Sequence, residues 1–225
     1  MKLIIKKEVF STIHPKLSFV FLYGKNVDNK KNLSKAKHLL KDMEKLARLE
    51  FTTESSKTHH LISPTMTARE EFGKKAKHYN TSVEKLLEST LSRKKEQIKD
   101  TLNALLHYFS LKYIVPLGSD DFSKIKGDVT FSIATGKEKL KRGTLYYHDQ
   151  GKILGTKFDY WKNPKTKLTL KSTKALVHLE CLPPITETVC KKITTELQEL
   201  LETFCEGEWK VFILKKNSSI KEIRV

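Results

Sequence analysis

A chain of 225 residues with 38% hydrophobic and 31% charged side chains suits one large domain or two small ones, and its apolar content excludes a disordered chain. Lys and Arg number 43 against 26 Asp and Glu, a formal charge of +17 that favours a polyanionic partner, because a positive field concentrates phosphates and steers association. No run approaches the ~20 apolar residues of a membrane span. The N-terminus lacks a signal-peptide core, and three cysteines without CxxC spacing speak against thiol chemistry or a zinc cluster, so buried structural thiols in a reduced, cytoplasmic setting are expected.

In chain order, two apolar runs, Leu3 to Phe10 and Leu17 to Tyr23, are separated by His14 and Pro15 and read as strand, turn, strand, ending at Gly24. From Ser34 to about Phe51, Ala36, Leu39, Leu40, Met43, Leu46 and Ala47 recur at helical spacing, with Ser34 as N-cap. A polar stretch, Thr52 to Thr65, reads as a loop, and Thr67 to Phe72 as a short helix stopped by Gly73. Ser82 caps a helix carrying Val83, Leu86, Leu87 and Leu91. Another carries Leu102, Leu105, Leu106, Phe109 and Tyr113 and must end before Pro116.

Beyond Gly127 the runs TFSIAT, TLYYHD, KILGTKFDYW, KLTLKS and ALVHLECL are β-rich and punctuated by Gly and Asn-Pro, which predicts an antiparallel meander or partly closed barrel. Pro183-Pro184 breaks it. Val189, Ile193, Leu197, Leu200, Leu201 and Phe204 then mark a last amphipathic helix, followed by the strand EWKVFILKK. The expected fold is α+β: a mostly antiparallel, partly barrel-like sheet with helices packed on one side, in a single domain over 1–225.

Among chemistry-bearing patterns, the nine scattered glycines form no phosphate-cradling loop, no serine sits in a nucleophile elbow, and no His pair has zinc spacing. No cofactor and no metal are therefore expected. Basic clusters at Lys74, Lys75 and Lys77, at Arg93 to Lys95, at Lys137 to Arg142 and at Lys162, Lys165 and Lys167 are interleaved with Tyr79, Tyr146, Tyr147, Tyr160 and Trp161. Such aromatics can stack on unpaired bases while the lysines hold phosphates. In ALVHLEC, alternation puts Ala175, Val177, Leu179 and Cys181 on one face and Leu176, His178 and Glu180 on the other. An imidazole and a carboxylate so placed can orient and deprotonate a water for ester hydrolysis. The alternative, a cross-strand polar contact on a solvated face, is the commoner use of such a pair.

The segment SLKYIVPLGSDDF, Ser110 to Phe122, resembles the tRNA-binding and editing domain formed by the paired third and fourth B modules (B-three/B-four) of the phenylalanyl-tRNA synthetase β-subunit, and more closely its freestanding relatives. Arg69 with Phe72 and Gly73, then HYNTSVEKLL, and later the run from Gly143 to Glu180 with Asp149, Trp161, Thr169 and Thr173, extend the likeness over about residues 67–180. The resemblance implies a protein that binds tRNA or aminoacyl-tRNA, with or without a synthetase partner, and that hydrolyses misattached amino acids. Joined with the reading of ALVHLEC, it makes His107, His178 and Glu180 the expected catalytic residues and Gly118, Asp121 and Ser110 the expected substrate pocket. Arg69, Lys74, Lys75, Lys77, Lys112, Lys162 and Lys165 would hold RNA. The chain departs from the pattern at His107 and Gly118, where the synthetase has Asn and His, and at Ala104, where the freestanding proteins have Asp. A non-catalytic RNA-binding module and an amino-acid-binding sensor remain open beside the editing enzyme.

Overall fold

The computed structural model describes residues 1–53, 55, 81–94 and 97–224. The predicted loop after Thr52, the short helix at 67–72 and the basic group Arg69, Lys74, Lys75 and Lys77 lie almost wholly or entirely outside them.

The described residues form ten strands and five α-helices in three layers. β1 (Lys2–Ile5), β4 (Val129–Ile133), β5 (Leu145–His148), β6 (Ile153–Thr156), β7 (Trp161–Lys162) and β10 (Ile220–Glu222) make one sheet in the order β10-β1-β4-β5-β6-β7. All its pairings are antiparallel except β1 with β4. β3 (Leu117–Asp121), β8 (Lys174–Cys181), β2 (Ser18–Lys25) and β9 (Glu208–Leu214) make a fully antiparallel second sheet in the order β3-β8-β2-β9. Neither sheet closes into a barrel among the described residues; β4-β5-β6-β7 run as the expected antiparallel meander, and the two sheets pack together.

The central strands explain the layering. β2 reads SFVFLYGK and every residue from Phe19 to Gly24 is buried. Phe19, Phe21 and Tyr23 enter a core shared with Leu3, Val129, Phe131, Tyr147 and Leu154 of the six-stranded sheet. Val20 and Leu22 enter a second core with helices α4 (Thr101–Tyr113) and α5 (Glu187–Cys205). A strand buried on both faces needs large apolar side chains at every position, which is the composition seen here. Outside α4 lie α2 (Leu33–Glu50) and α3 (Ser82–Leu91), joined through Leu40, Phe51, Leu86, Leu87 and Leu111.

Four expectations are corrected. Leu3 to Phe10 is not one strand: β1 stops at Ile5, and Lys7–Thr12 forms helix α1, which turns Val9, Phe10 and Ile13 into the inter-sheet core. Val9, Phe10 and Ile13 fall on one helical face, whereas a strand would split them between two. This helix belongs to the sheet-facing core, so not every helix lies on one side. KLTLKS is not a strand either. The Thr169 N–H donates to Ser172 Oγ at 2.9 Å, the Ser172 N–H to Thr169 O at 3.0 Å and the Lys171 N–H to Thr169 Oγ1, a local turn in which hydroxyls compete with ladder bonding. The caps shift as well. α2 follows Asn32, and α3 is capped by Thr81, whose hydroxyl accepts from the Glu84 N–H while Glu84 accepts from the Thr81 N–H, a reciprocal box.

Candidate functional site

β8 is the middle of the site. Its partners β2 and β3 cover both edges, and the alternation read from the sequence holds: Ala175, Val177, Leu179 and Cys181 face the helices. His178 and Glu180 share the opposite face, but that face is not solvated. It packs on the six-stranded sheet, and each of the two residues is only 1% exposed. The imidazole is enclosed by the rings of Phe21, Phe131 and Tyr147. Buried polar groups of this kind must be paired with one another, and they are.

His178 Nδ1 meets Glu180 Oε1 at 2.6 Å, and His178 Nε2 meets the Tyr147 hydroxyl at 3.2 Å. That hydroxyl donates to Asp159 Oδ1 at 2.7 Å and lies 3.1 Å from Asp120 Oδ2. The Lys162 ammonium binds Asp120 Oδ2 at 2.6 Å, Asp159 Oδ2 at 3.3 Å and the Tyr147 hydroxyl. Six side chains from β3, β5, β7, β8 and the turn after β6 thus form one network spanning both sheets. Asp120 Oδ1 and Glu180 Oε2 have no hydrogen-bond partner, so the cluster carries more acceptors than donors.

Burial opposes a charge on His178, but Glu180 and Asp159 outweigh it and hold the imidazole pKa above its ordinary value. Burial, reinforced by Asp120 and Asp159, pushes the Tyr147 phenol well up, so it stays a donor. With His178 protonated, protons run in one direction: Nδ1–H to Glu180, Nε2–H to Tyr147, and Tyr147 O–H to Asp159.

Two glycines create the space. Gly118 on β3 stands opposite His178 in register, and a Cβ there would lie 2.2 Å from both His178 Nε2 and Asp159 Oδ2. At Gly155 a Cβ would lie 2.3 Å from Asp159 Oδ1. Gly118 is expected in the substrate pocket, but the room its missing side chain leaves is occupied by the protein's own imidazole and carboxylate. Asp159 is delivered by an unusual turn in which Lys157, Phe158 and Asp159 all have left-handed backbone, at φ of 55°, 52° and 59°. Consecutive non-glycine residues in that region are costly, at roughly 1–2 kcal/mol each, and such conformations cluster at functional sites.

Asp159, Lys162 and Gly118 also line a cavity of about 520 Å³ between α3, α4 and β3. His107 and Asn103 of α4 form one wall, and Lys85, Lys99 and Lys167 also line it. Lys85 and Lys157 both sit over the Tyr160 ring at 5.5 Å, and Trp161 beside them is 47% exposed. The α3 N-terminus is fastened above this opening by Ser82, whose N–H donates to Phe158 O and whose hydroxyl donates to Leu117 O.

The structure therefore brings His107, Gly118 and Lys162 to one cavity and sets His178 and Glu180 in the network behind Gly118. Ser110 is buried on α4, outside the cavity lining, and its carbonyl accepts from Val115 at the helix end. Asp121 points away from the network: its carboxylate accepts from Ser172 Oγ at 2.7 Å and from the Ser123 N–H, and pairs with Lys124. The neighbouring Asp120 occupies the site in its stead. Lys112 is engaged by Glu196 at 2.9 Å and lies over the ring of Tyr113, whereas Lys165 is exposed on a turn after β7. Tyr146 and Tyr147 are buried and offer no stacking surface. Asp120, Asp159 and the inward role of Tyr147 had no sequence signal, since each depends on a partner strand distant along the chain. The run KILGTKFDYW, expected as one β-rich stretch, is broken between β6 and β7 by the left-handed turn at Lys157–Asp159.

Among the described residues, no group of three or more His, Cys, Asp and Glu side chains is arranged to hold a metal ion, and no helix is long and apolar enough to cross a membrane. No family model matches the chain, and no curated protein matches it.

Proposed function

We propose that the protein binds tRNA and that the cavity between α3, α4 and β3 receives an aminoacylated 3′ end, whose ester it hydrolyses. One observation carries this reading: a buried, proton-holding network reaches, through Asp159 and Lys162, the floor of a lysine-lined cavity that also holds His107. The +17 charge adds a long-range attraction for the phosphate backbone. The exposed Trp161 and the half-exposed Tyr160 offer rings for unpaired terminal bases. The likeness to the B-three/B-four fold, the cytoplasmic setting and a synthetase partner belong to the same proposal.

The chemistry follows from the placement. An ester carbonyl at the cavity floor develops negative charge as water attacks, and the Lys162 ammonium stabilises it. His107 or Asp159 takes the proton of the attacking water. His178 and Glu180 lie behind Gly118 and touch no substrate. They act as positioning residues, holding the Tyr147 hydroxyl so that Asp159 stays aimed at the cavity. A second reading, a binding module without hydrolysis, draws on the ion pairs that already engage both Lys162 and Asp159.

Hydrolysis of a panel of misacylated tRNAs tests the first reading, with His107→Ala, Asp159→Asn and Lys162→Met as controls. The expected result is turnover of at least one substrate, lost by ~10²-fold or more in the variants. Salt-sensitive tRNA binding with no turnover of any substrate establishes the module. Binding of a free amino acid without tRNA binding points to the sensor and overturns both.

A further inference from the structure

A second cavity, of about 610 Å³, opens where the end of β8, the first turn of α5 and the segment after β9 meet, and shares no lining residue with the first. Cys181 and Cys190 both line it, with Lys215, Lys216 and Glu187 nearby. Their sulfurs are 2.7 Å apart, the Cys181 thiol donating to Cys190 Sγ. Cys190 is held there by the first turn of α5, its N–H donating to Thr186 O at 2.8 Å and its carbonyl accepting from Thr194 Oγ1 at 2.7 Å. We propose that this pair is a peroxide-reactive dithiol site: hydrogen peroxide reaching the cavity oxidises Cys190, and Cys181 then closes a disulfide between β8 and α5. The proposal is independent of the tRNA reading and replaces the sequence expectation that all three thiols are inert.

The two sulfurs differ in the way such a step requires. The hydrogen bond from Cys181 holds the Cys190 thiol below its ordinary pKa against the opposing effect of burial, helped by Thr194 and the charge of Lys215. The hydrogen bond it donates, then burial, keeps the proton on Cys181. Cys190, in the first turn of α5 where the helix end favours a thiolate and with Lys215 lining the same cavity, is assigned as the nucleophile and Cys181 as the resolving thiol. Cys205, fully buried elsewhere in the helix-side core, is pushed up to about 12 by burial and serves as the internal control.

The steps balance. The Cys190 thiolate attacks one peroxide oxygen, the O–O bond breaks, hydroxide leaves and takes up a proton as water, and Cys190 becomes a sulfenic acid. The Cys181 sulfur then attacks Cys190 Sγ, its proton leaving with the sulfenic oxygen as a second water. The two sulfurs lose two electrons in all and the peroxide gains them.

The test treats the full-length protein with hydrogen peroxide, denatures it with N-ethylmaleimide present, and maps the unreduced peptides by mass spectrometry. The expected result is a Cys181–Cys190 linked peptide, loss of alkylation at both positions, retention at Cys205 and reversal by dithiothreitol. Both thiols still alkylated after the methionines have begun to oxidise, or a link through Cys205, overturns the proposal; this arm needs no variant and so does not depend on one folding. In Cys181→Ser, dimedone should trap a sulfenic acid at Cys190. In Cys190→Ser, Cys181 should remain alkylatable, and oxidation of Cys181 at the wild-type rate overturns the assignment of the nucleophile.

Discussion

The two faces of β8 are equally buried and differ in almost everything else. Toward the helices, Ala175, Val177, Leu179 and Cys181 join a continuous apolar core with Leu105, Phe109, Ile193 and Leu197. Toward the other sheet, Leu176 is followed by His178 and Glu180, which pull Tyr147, Asp159, Asp120 and Lys162 into a charged cluster within aromatic surroundings. The apolar face stabilises the fold by removing surface from water and by dense packing. The charged face has to recover the desolvation of six ionisable groups from their mutual attraction, which at best breaks even. A cluster of that cost, reached by a strained turn and cleared by two glycines, is better explained by what it does at the cavity than by stability.

The comparison can be broken at its most expensive point. Glu180→Ala leaves a buried imidazole without its closest partner and should lower stability by roughly 3–5 kcal/mol in urea unfolding. The joint replacement His178→Leu with Glu180→Leu should recover most of that loss; a double variant as unstable as the single one would mean that the charged face stabilises the fold outright. On the other face, Leu179→Ala should cost roughly 2–5 kcal/mol through the cavity it leaves. It should leave whatever turnover the protein has unchanged apart from the fraction unfolded, whereas Glu180→Gln should reduce turnover more than stability.

Gly118→Ala forces a methyl into the imidazole and the Asp159 carboxylate, and the expected penalty is roughly 1–3 kcal/mol with displacement of the cavity floor. A variant as stable as the parent would mean that His178 swings aside freely. The smallest effect is on pH dependence. Because the folded pKa of His178 is raised, its protonation stabilises the fold below the ordinary imidazole value of ~6.5, and that contribution is lost as pH rises through the raised value. Its immediate surroundings are Glu180, Asp159, Tyr147 and Lys162. Thermal melts of wild type minus His178→Asn should therefore shrink in difference as pH rises above the ordinary imidazole value of ~6.5; a difference that grows would reverse the assigned direction.

Much of the architecture was legible. The helical spacing of Leu102, Leu105, Leu106 and Phe109 and of Ile193, Leu197 and Leu201 located α4 and α5, and those residues form the helix-side core. Gly118, His107 and Lys162 were picked out and do share a cavity. The missed elements share a cause. At Lys7–Thr12 and in KLTLKS, short apolar runs carry no period long enough to separate strand from helix or turn; packing of Val9, Phe10 and Ile13 into the inter-sheet core decided the first and hydroxyl bonding the second. The resemblance points to Asp121 rather than Asp120, but adjacent positions on one strand point to opposite faces, and only the pairing of β3 with β8 shows which is turned toward His178.

By itself, the sequence determined which residues travel together: alternation is a property of the local backbone, so His178 and Glu180 share a face wherever β8 is placed. It also determined the charge and the positions of the main helices. What covers each face is a matter of distant segments, and only the tertiary structure decided that the His178 side is dry. The same holds for Tyr147, Asp159, Asp120 and Lys162 completing the network, and for Cys181 meeting Cys190. A polar pair on a solvated strand and a buried proton network have the same local spelling, and burial against a second sheet separates them.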